Sequence, residues 1–94
     1  MNLPQPIIDS ISDLARQCNL DKVILFGSRA RGDNLERSDI DLAIQGGDTV
    51  AFAASVDEDI PTLLMFDVVD LNKPVQAELL DEIRKDGVVI YEKV

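Results

Sequence analysis

Two aspartates set one residue apart, Asp39 and Asp41, are the side chains of this chain most suited to doing chemistry. Residues two apart in an extended strand point to the same side, so the two carboxylates project together. At an effective dielectric near 20, two such charges about 5 Å apart repel by roughly 3 kcal/mol unless a cation lies between them. Hard oxygen ligands in that number suit Mg²⁺, which keeps several waters and shares its shell with substrate phosphates.

Upstream, Gly27 lets backbone approach a ligand closely, and Ser28 adds a hydroxyl where the free N–H groups of a following turn make a phosphate seat. Arg29 and Arg31 supply planar cationic forks suited to phosphate oxygens. A single stretch, FGSRARGDNLERSDIDL (26–42), therefore combines an anion cradle with a cation clamp. Phosphoryl or nucleotidyl transfer requires that combination. A two-metal site normally needs a third carboxylate. The run Phe66-Asp67-Val68-Val69-Asp70-Leu71 offers two, on opposite faces because they lie three apart. Asp67 is deeper in the run, and Asp70 stands at its end beside the Asn72-Lys73-Pro74 turn.

These residues resemble the DNA polymerase β-type nucleotidyltransferase superfamily, whose signature is Gly-Ser, about ten residues, then Asp-x-Asp. Here Gly27-Ser28 is followed by ten residues and Asp39-Ile40-Asp41. The wording GSRARG…SDIDL is similar to the minimal nucleotidyltransferases (MNT proteins), many of which are paired with a HEPN-domain protein, as in the MntA–HepT toxin–antitoxin systems. In those proteins the first acid of an Asp-hydrophobic-Val-Asp-Leu strand completes the metal site, and the resemblance assigns that role to Asp67. A buried apolar strand gives little other reason for a carboxylate in its middle, which favours the same choice. Asp70 is expected to serve the turn.

The elements that must position these groups follow from periodicity. Pro4 and Pro6 suit a helix start, and Ile7, Ile8, Ile11, Leu14, Ala15 and Cys18 form one apolar stripe before Asn19 stops it. Lys22 to Phe26 reads as a buried strand, Ser28 to Ala30 as a brief helical turn, and Asp39 to Gln45 as a second strand. In that second strand Ile40, Leu42 and Ile44 alternate with the acids. Asp48 or Thr49 caps a helix running to about Asp57, ahead of the acidic cluster Asp57-Glu58-Asp59. A third strand is expected over Thr62 to Leu71, a helix over Val75 to Asp86, and a closing strand from Val88 to Tyr91. This alternation predicts one α/β domain spanning residues 1–94, with a small sheet covered by helices; the resemblance implies a mixed sheet.

Ninety-four residues allow a single modest core. The net charge of −9 argues against broad nucleic-acid binding and suits a small metal-bound nucleotide or a basic protein partner. The lone Cys18 excludes an internal disulfide, and no apolar run or signal pattern points to a membrane or export, so the cytoplasm is expected. The absence of histidine leaves a carboxylate or metal-bound hydroxide as the base. The resemblance implies ATP or another NTP as donor, two Mg²⁺ ions held by Asp39, Asp41 and Asp67, and phosphates seated by Gly27, Ser28, Arg29 and Arg31. It further implies an acceptor tyrosine on a HEPN-domain toxin, with this chain as antitoxin, since nothing in it looks able to recognise DNA, RNA or a drug. A non-enzymatic antitoxin and a nucleotide-binding regulatory module are the rival readings. A P-loop ATPase is disfavoured because Gly-x4-Gly-Lys-Ser/Thr does not occur.

Overall fold

The computed structural model describes residues 1–94. In chain order the elements are α1 (Gln5–Gln17), β1 (Lys22–Phe26), α2 (Gly27–Arg31), β2 (Ile40–Gln45), α3 (Thr49–Asp59), β3 (Phe66–Asp70), α4 (Ala77–Asp86) and β4 (Val88–Glu92). They build the expected mixed sheet covered by helices, in the strand order β3-β2-β1-β4. β1 runs antiparallel to β2 and β4, whereas β2 and β3 are parallel.

Pro4 stands at the N-cap of α1, and the helix buries Ile8, Ile11, Leu14 and Ala15. Asn19 then takes a φ of 57°, a left-handed conformation Asn tolerates, and turns the chain into β1. At α3 it is Asp48 that caps, its carboxylate accepting from Ala51 N at 3.0 Å.

The two central strands are two-faced. Val23 and Leu25 of β1 and Ile40, Leu42 and Ile44 of β2 have no exposed surface and pack with α1 and α3 in a cluster of 15 buried residues. The other face, covered by α2 and α4, holds a cluster of only 3 buried residues, Phe26, Ala43 and Ile83. Each fully buried aliphatic or aromatic side chain contributes about 1.5–3 kcal/mol, so the first face supplies most of the stability. The second face is free to carry polar groups.

Three expectations need correction. The third strand forms only from Phe66, because Pro61 and the bend at Leu63 and Leu64 precede it. It is also an edge strand rather than a buried one, and Asp67 is exposed, so burial gives no reason for that acid. α4 begins at Ala77, since Pro74 and an extended Gln76 delay it. The acidic cluster after Val56 acquires a modest role: Asp57 Oδ1 accepts from Phe66 N at 3.4 Å, at the start of β3. No helix is long and apolar enough to cross a membrane.

Asp70 faces α3 and stitches the far end of the sheet. It accepts from Thr49 Oγ1 at 2.8 Å and from Asn72 N at 2.9 Å, while Asn72 Oδ1 accepts from Gly46 N at 2.8 Å. Thr49 is only 4% exposed, so removing its acceptor strands a buried hydroxyl. Asp70→Ala is expected to lower the urea-unfolding free energy by about 2 kcal/mol. An unchanged midpoint and slope would show that this network carries no load.

Candidate active site

The antiparallel ladder sets Phe26 opposite Asp41, and the parallel ladder sets Asp41 opposite Asp67. Neighbouring strands lie about 4.8 Å apart, so residues in register share a side of the sheet at close range. That side is the one occupied by Phe26, Ala43 and Ile83. Asp39, just ahead of β2 and two residues before Asp41, falls on it by alternation. The structure thus brings Asp39, Asp41 and Asp67 onto one face, with Asp41 half-buried and the other two exposed.

The electrostatics follow from that placement. Burial first, and then the charges of Asp67, Asp39 and Glu82, together push the Asp41 carboxyl up from 3.8 to about 6. The nearby Arg31 opposes them. The three acids are spread along a face and do not form a closed cage, since no group of three potential ligands converges tightly on one point. An open array of carboxylates fits Mg²⁺, which takes one or two of them and completes its octahedron with water and phosphate oxygens. None of the 5 surface hollows is lined by these acids, which stand on an open face of the sheet.

Gly27 is forced at its position twice over. Its φ of +74° lies where only glycine is relaxed, and a β-carbon there would overlap Asp41 Oδ2. The chain therefore enters α2 with its backbone pressed against the Asp41 carboxylate. Ser28, half-buried, follows in the first turn, and the left-handed Gly32 closes the helix at a φ of 88°.

The two arginines separate. Arg29, expected to meet phosphate, is 4% exposed and points inward. Its Nε donates to Ser38 O at 3.0 Å, Nη1 to Asn2 O at 3.2 Å and Nη2 to Glu36 O at 3.0 Å. All three nitrogens are committed to backbone carbonyls, so Arg29 ties the N-terminal segment to the loop that delivers Asp39. Arg31 is the exposed one: Nε donates to Asp33 Oδ2 and Nη1 to Asp86 Oδ2, each at 3.1 Å, with Glu82 Oε1 at 4.0 Å. Its Nη2 makes none of these bonds. Ser38 Oγ accepts from Leu35 N at 2.9 Å and shapes the same loop.

Glu82 is the residue sequence reasoning missed. The i, i+4 spacing of Glu82 and Asp86 marks them as one side of α4, but only the packing of α4 against α2 brings both to Arg31 and Glu82 within reach of Asp41.

The family model described as Polymerase beta, Nucleotidyltransferase matches residues 9–94. Over 59 residues the chain is 48% identical to a Methanocaldococcus jannaschii protein named as a protein adenylyltransferase, covering 63% of this chain and 56% of that protein. The chain therefore spans little more than half of that relative. Among solved structures, a mutant of the toxin–antitoxin MntA-HpeT superposes with a TM-score of 0.69 at 24% identity, covering 98% of this chain and 75% of that one. A toxin–antitoxin with AMP-PNP gives 0.64 at 24% identity, covering 92% and 73%. At those identities the likeness is one of fold.

Two outcomes follow from the geometry. Arg29→Met leaves three carbonyls without their donor and is expected to cost about 3 kcal/mol in chemical denaturation; a loss below about 1 kcal/mol would contradict the tie. For Asp41, the folded carboxyl is raised above its ordinary 3.8 to about 6, so the folded state holds the proton more tightly than the unfolded chain. Stability attributable to this group is therefore lost as pH rises between those values, and the loss is complete above about 6. Metal-free Asp41→Asn should melt higher than the parent at neutral pH, with the gain vanishing below about 3.8. Added Mg²⁺ should raise the parent's melting temperature more than the variant's. A gain independent of pH would contradict the assignment.

Proposed function

The chain belongs to the polymerase beta nucleotidyltransferase family, and we propose that it transfers a nucleoside monophosphate, most simply AMP from ATP, to an acceptor hydroxyl. The observation that carries this reading is the register: Asp41 faces Asp67 across one ladder while the backbone of Gly27 lies against the Asp41 carboxylate. That closeness supports a metal-binding role for the acids and a phosphate-seating role for the Gly27 turn.

The acceptor oxygen bonds to the α-phosphorus as the bond from that phosphorus to the bridging oxygen breaks, and pyrophosphate leaves. The acceptor's proton passes to a carboxylate, for which Asp67, exposed at the sheet edge, is placed to serve before solvent takes it. Gly27 and Ser28 seat the β- and γ-phosphates through backbone N–H and hydroxyl donors. Arg31, through Nη2, supplies positive charge to the phosphates while Asp33 and Asp86 hold its fork. Two Mg²⁺ ions held by Asp39, Asp41 and Asp67 would, when bound, neutralise charge on the attacking and leaving oxygens.

The acceptor in this reading is a tyrosine on a HEPN-domain toxin, and the chain acts as its antitoxin. Support comes from the relative named as a protein adenylyltransferase and from the toxin–antitoxin structures that share the fold, one holding AMP-PNP. A net charge of −9 suits capture of a basic partner.

Incubation with a purified HEPN-domain toxin, Mg²⁺ and ATP labelled at the α-phosphate should place label on the toxin. Asp67→Ala should lower that transfer by about a hundredfold or more, while Asp70→Ala retains most of it. The reverse order would move the third acid to Asp70. Neutralisation of the toxin that survives Asp39→Ala/Asp41→Ala would show an antitoxin acting by binding alone.

A further inference from the structure

Beside the acids, at the β3 edge, lies a hollow of about 470 Å³ lined by Glu36, Arg37, Leu63 and Met65. Its position relative to the site is fixed by the ladder. Ile40 N donates to Met65 O at 2.9 Å, which carries the β2–β3 pairing one step beyond the strand ends. Met65 therefore stands next to Asp39 and, two residues before Asp67, on the side of the sheet that Asp67 occupies. Leu63 is 102% exposed and Met65 62%, an unusual investment of large apolar side chains beside a charged site. Arg37, also in the lining, takes part in no ion pair.

The order across the sheet end is Met65 and Asp67 on β3, then Asp39 and Asp41 on β2, then Gly27 after β1. Strand spacing makes this span roughly 10 Å. In phosphoryl-type transfer the attacking and leaving oxygens lie roughly in line, on opposite sides of the phosphorus. With the leaving pyrophosphate at Gly27 and Ser28, the attacking group must arrive from the β3 side. The hollow stands on that side.

We propose that this hollow seats the aromatic ring of the acceptor, a tyrosyl side chain of a protein partner, with its hydroxyl directed at Asp67; this rests on the nucleotidyl-transfer reading above. The lining suits a phenol ring. The Met65 thioether favours contact with an aromatic edge, Leu63 covers apolar area, and the unpaired Arg37 guanidinium can lie over a ring face. The bond made is from the phenol oxygen to the α-phosphorus, the bond broken is from that phosphorus to pyrophosphate, and the phenol proton passes to the Asp67 carboxylate. Glu36 and Arg37 at the rim would read charge on the residues flanking the tyrosine.

Methyl NMR tests this with the full chain, in which Met1 and Met65 are the 2 methionines and Met1 serves as control. Mg²⁺ with α,β-methylene ATP is added first, then N-acetyl-L-tyrosinamide as the probe. The nucleotide should move the amides of Gly27 and Ser28 and leave the methyls of Leu63 and Met65 in place. The tyrosine probe should then move the Met65 methyl upfield by ring current. Movement of the Leu63 and Met65 methyls by the nucleotide alone would make the hollow a nucleobase seat and overturn the proposal, as would their indifference to the probe. A nucleotide that leaves Gly27 and Ser28 unmoved would instead sink the nucleotidyl-transfer reading, and this inference with it. In the transfer assay Leu63→Ser/Met65→Ser should raise KM for the toxin about tenfold and leave KM for ATP within about twofold. Equal effects on both substrates would also overturn the seat.

Discussion

An ionised carboxylate held between a second carboxylate and a turn of backbone is the constraint on which this structure depends. Asp41 has Asp67 across the parallel ladder, Asp39 two residues behind it, and Gly27 pressed against its oxygens. Strand alternation makes the arrangement unavoidable. The pattern that sends Ile40, Leu42 and Ile44 into the main core sends Asp39 and Asp41 to the other side. A shift of β2 by one residue would bury the acids and expose three aliphatic side chains. The core therefore fixes the register, and the register fixes the acids.

The cost of gathering like charges is offset on the opposite face of the same sheet. There the 15-residue cluster packs under α1 and α3, while the face bearing the acids has only Phe26, Ala43 and Ile83 fully buried. Stability and chemistry are thus divided between the two sides of one sheet. Such a division lets a chain of 94 residues hold a repulsive cluster. It also leaves the acid face open to solvent, with Asp39 and Asp67 exposed.

Much of this was legible in the sequence because it is local. The β1 boundaries, the stop at Asn19 and the capping of α3 by Asp48, one of its two candidates, all follow from spacing and turn chemistry. Arg29 and Arg31 are both phosphate candidates in the sequence, Arg29 the foremost, yet residues two apart on a helical turn point in different directions. One had to turn inward, and Arg29 spends its whole guanidinium on the carbonyls of Asn2, Glu36 and Ser38. The exposure of Asp67 was misread because a run of apolar residues does not say whether its strand is central or at an edge. Glu82 was invisible for a related reason: its approach to Asp41 depends on how α4 docks, which no local pattern encodes.

Paramagnetic broadening of backbone amide signals by Mn²⁺, titrated in substoichiometric amounts with α,β-methylene ATP, measures most directly whether the acid face is a metal site. The chain carries its own comparison in Asp57-Glu58-Asp59, an acidic cluster of similar charge at the end of α3. Broadening centred on residues 27–28, 39–41 and 67, with 57–59 little affected, is the predicted result. Broadening centred on 57–59, or spread evenly over every acidic residue, would contradict it.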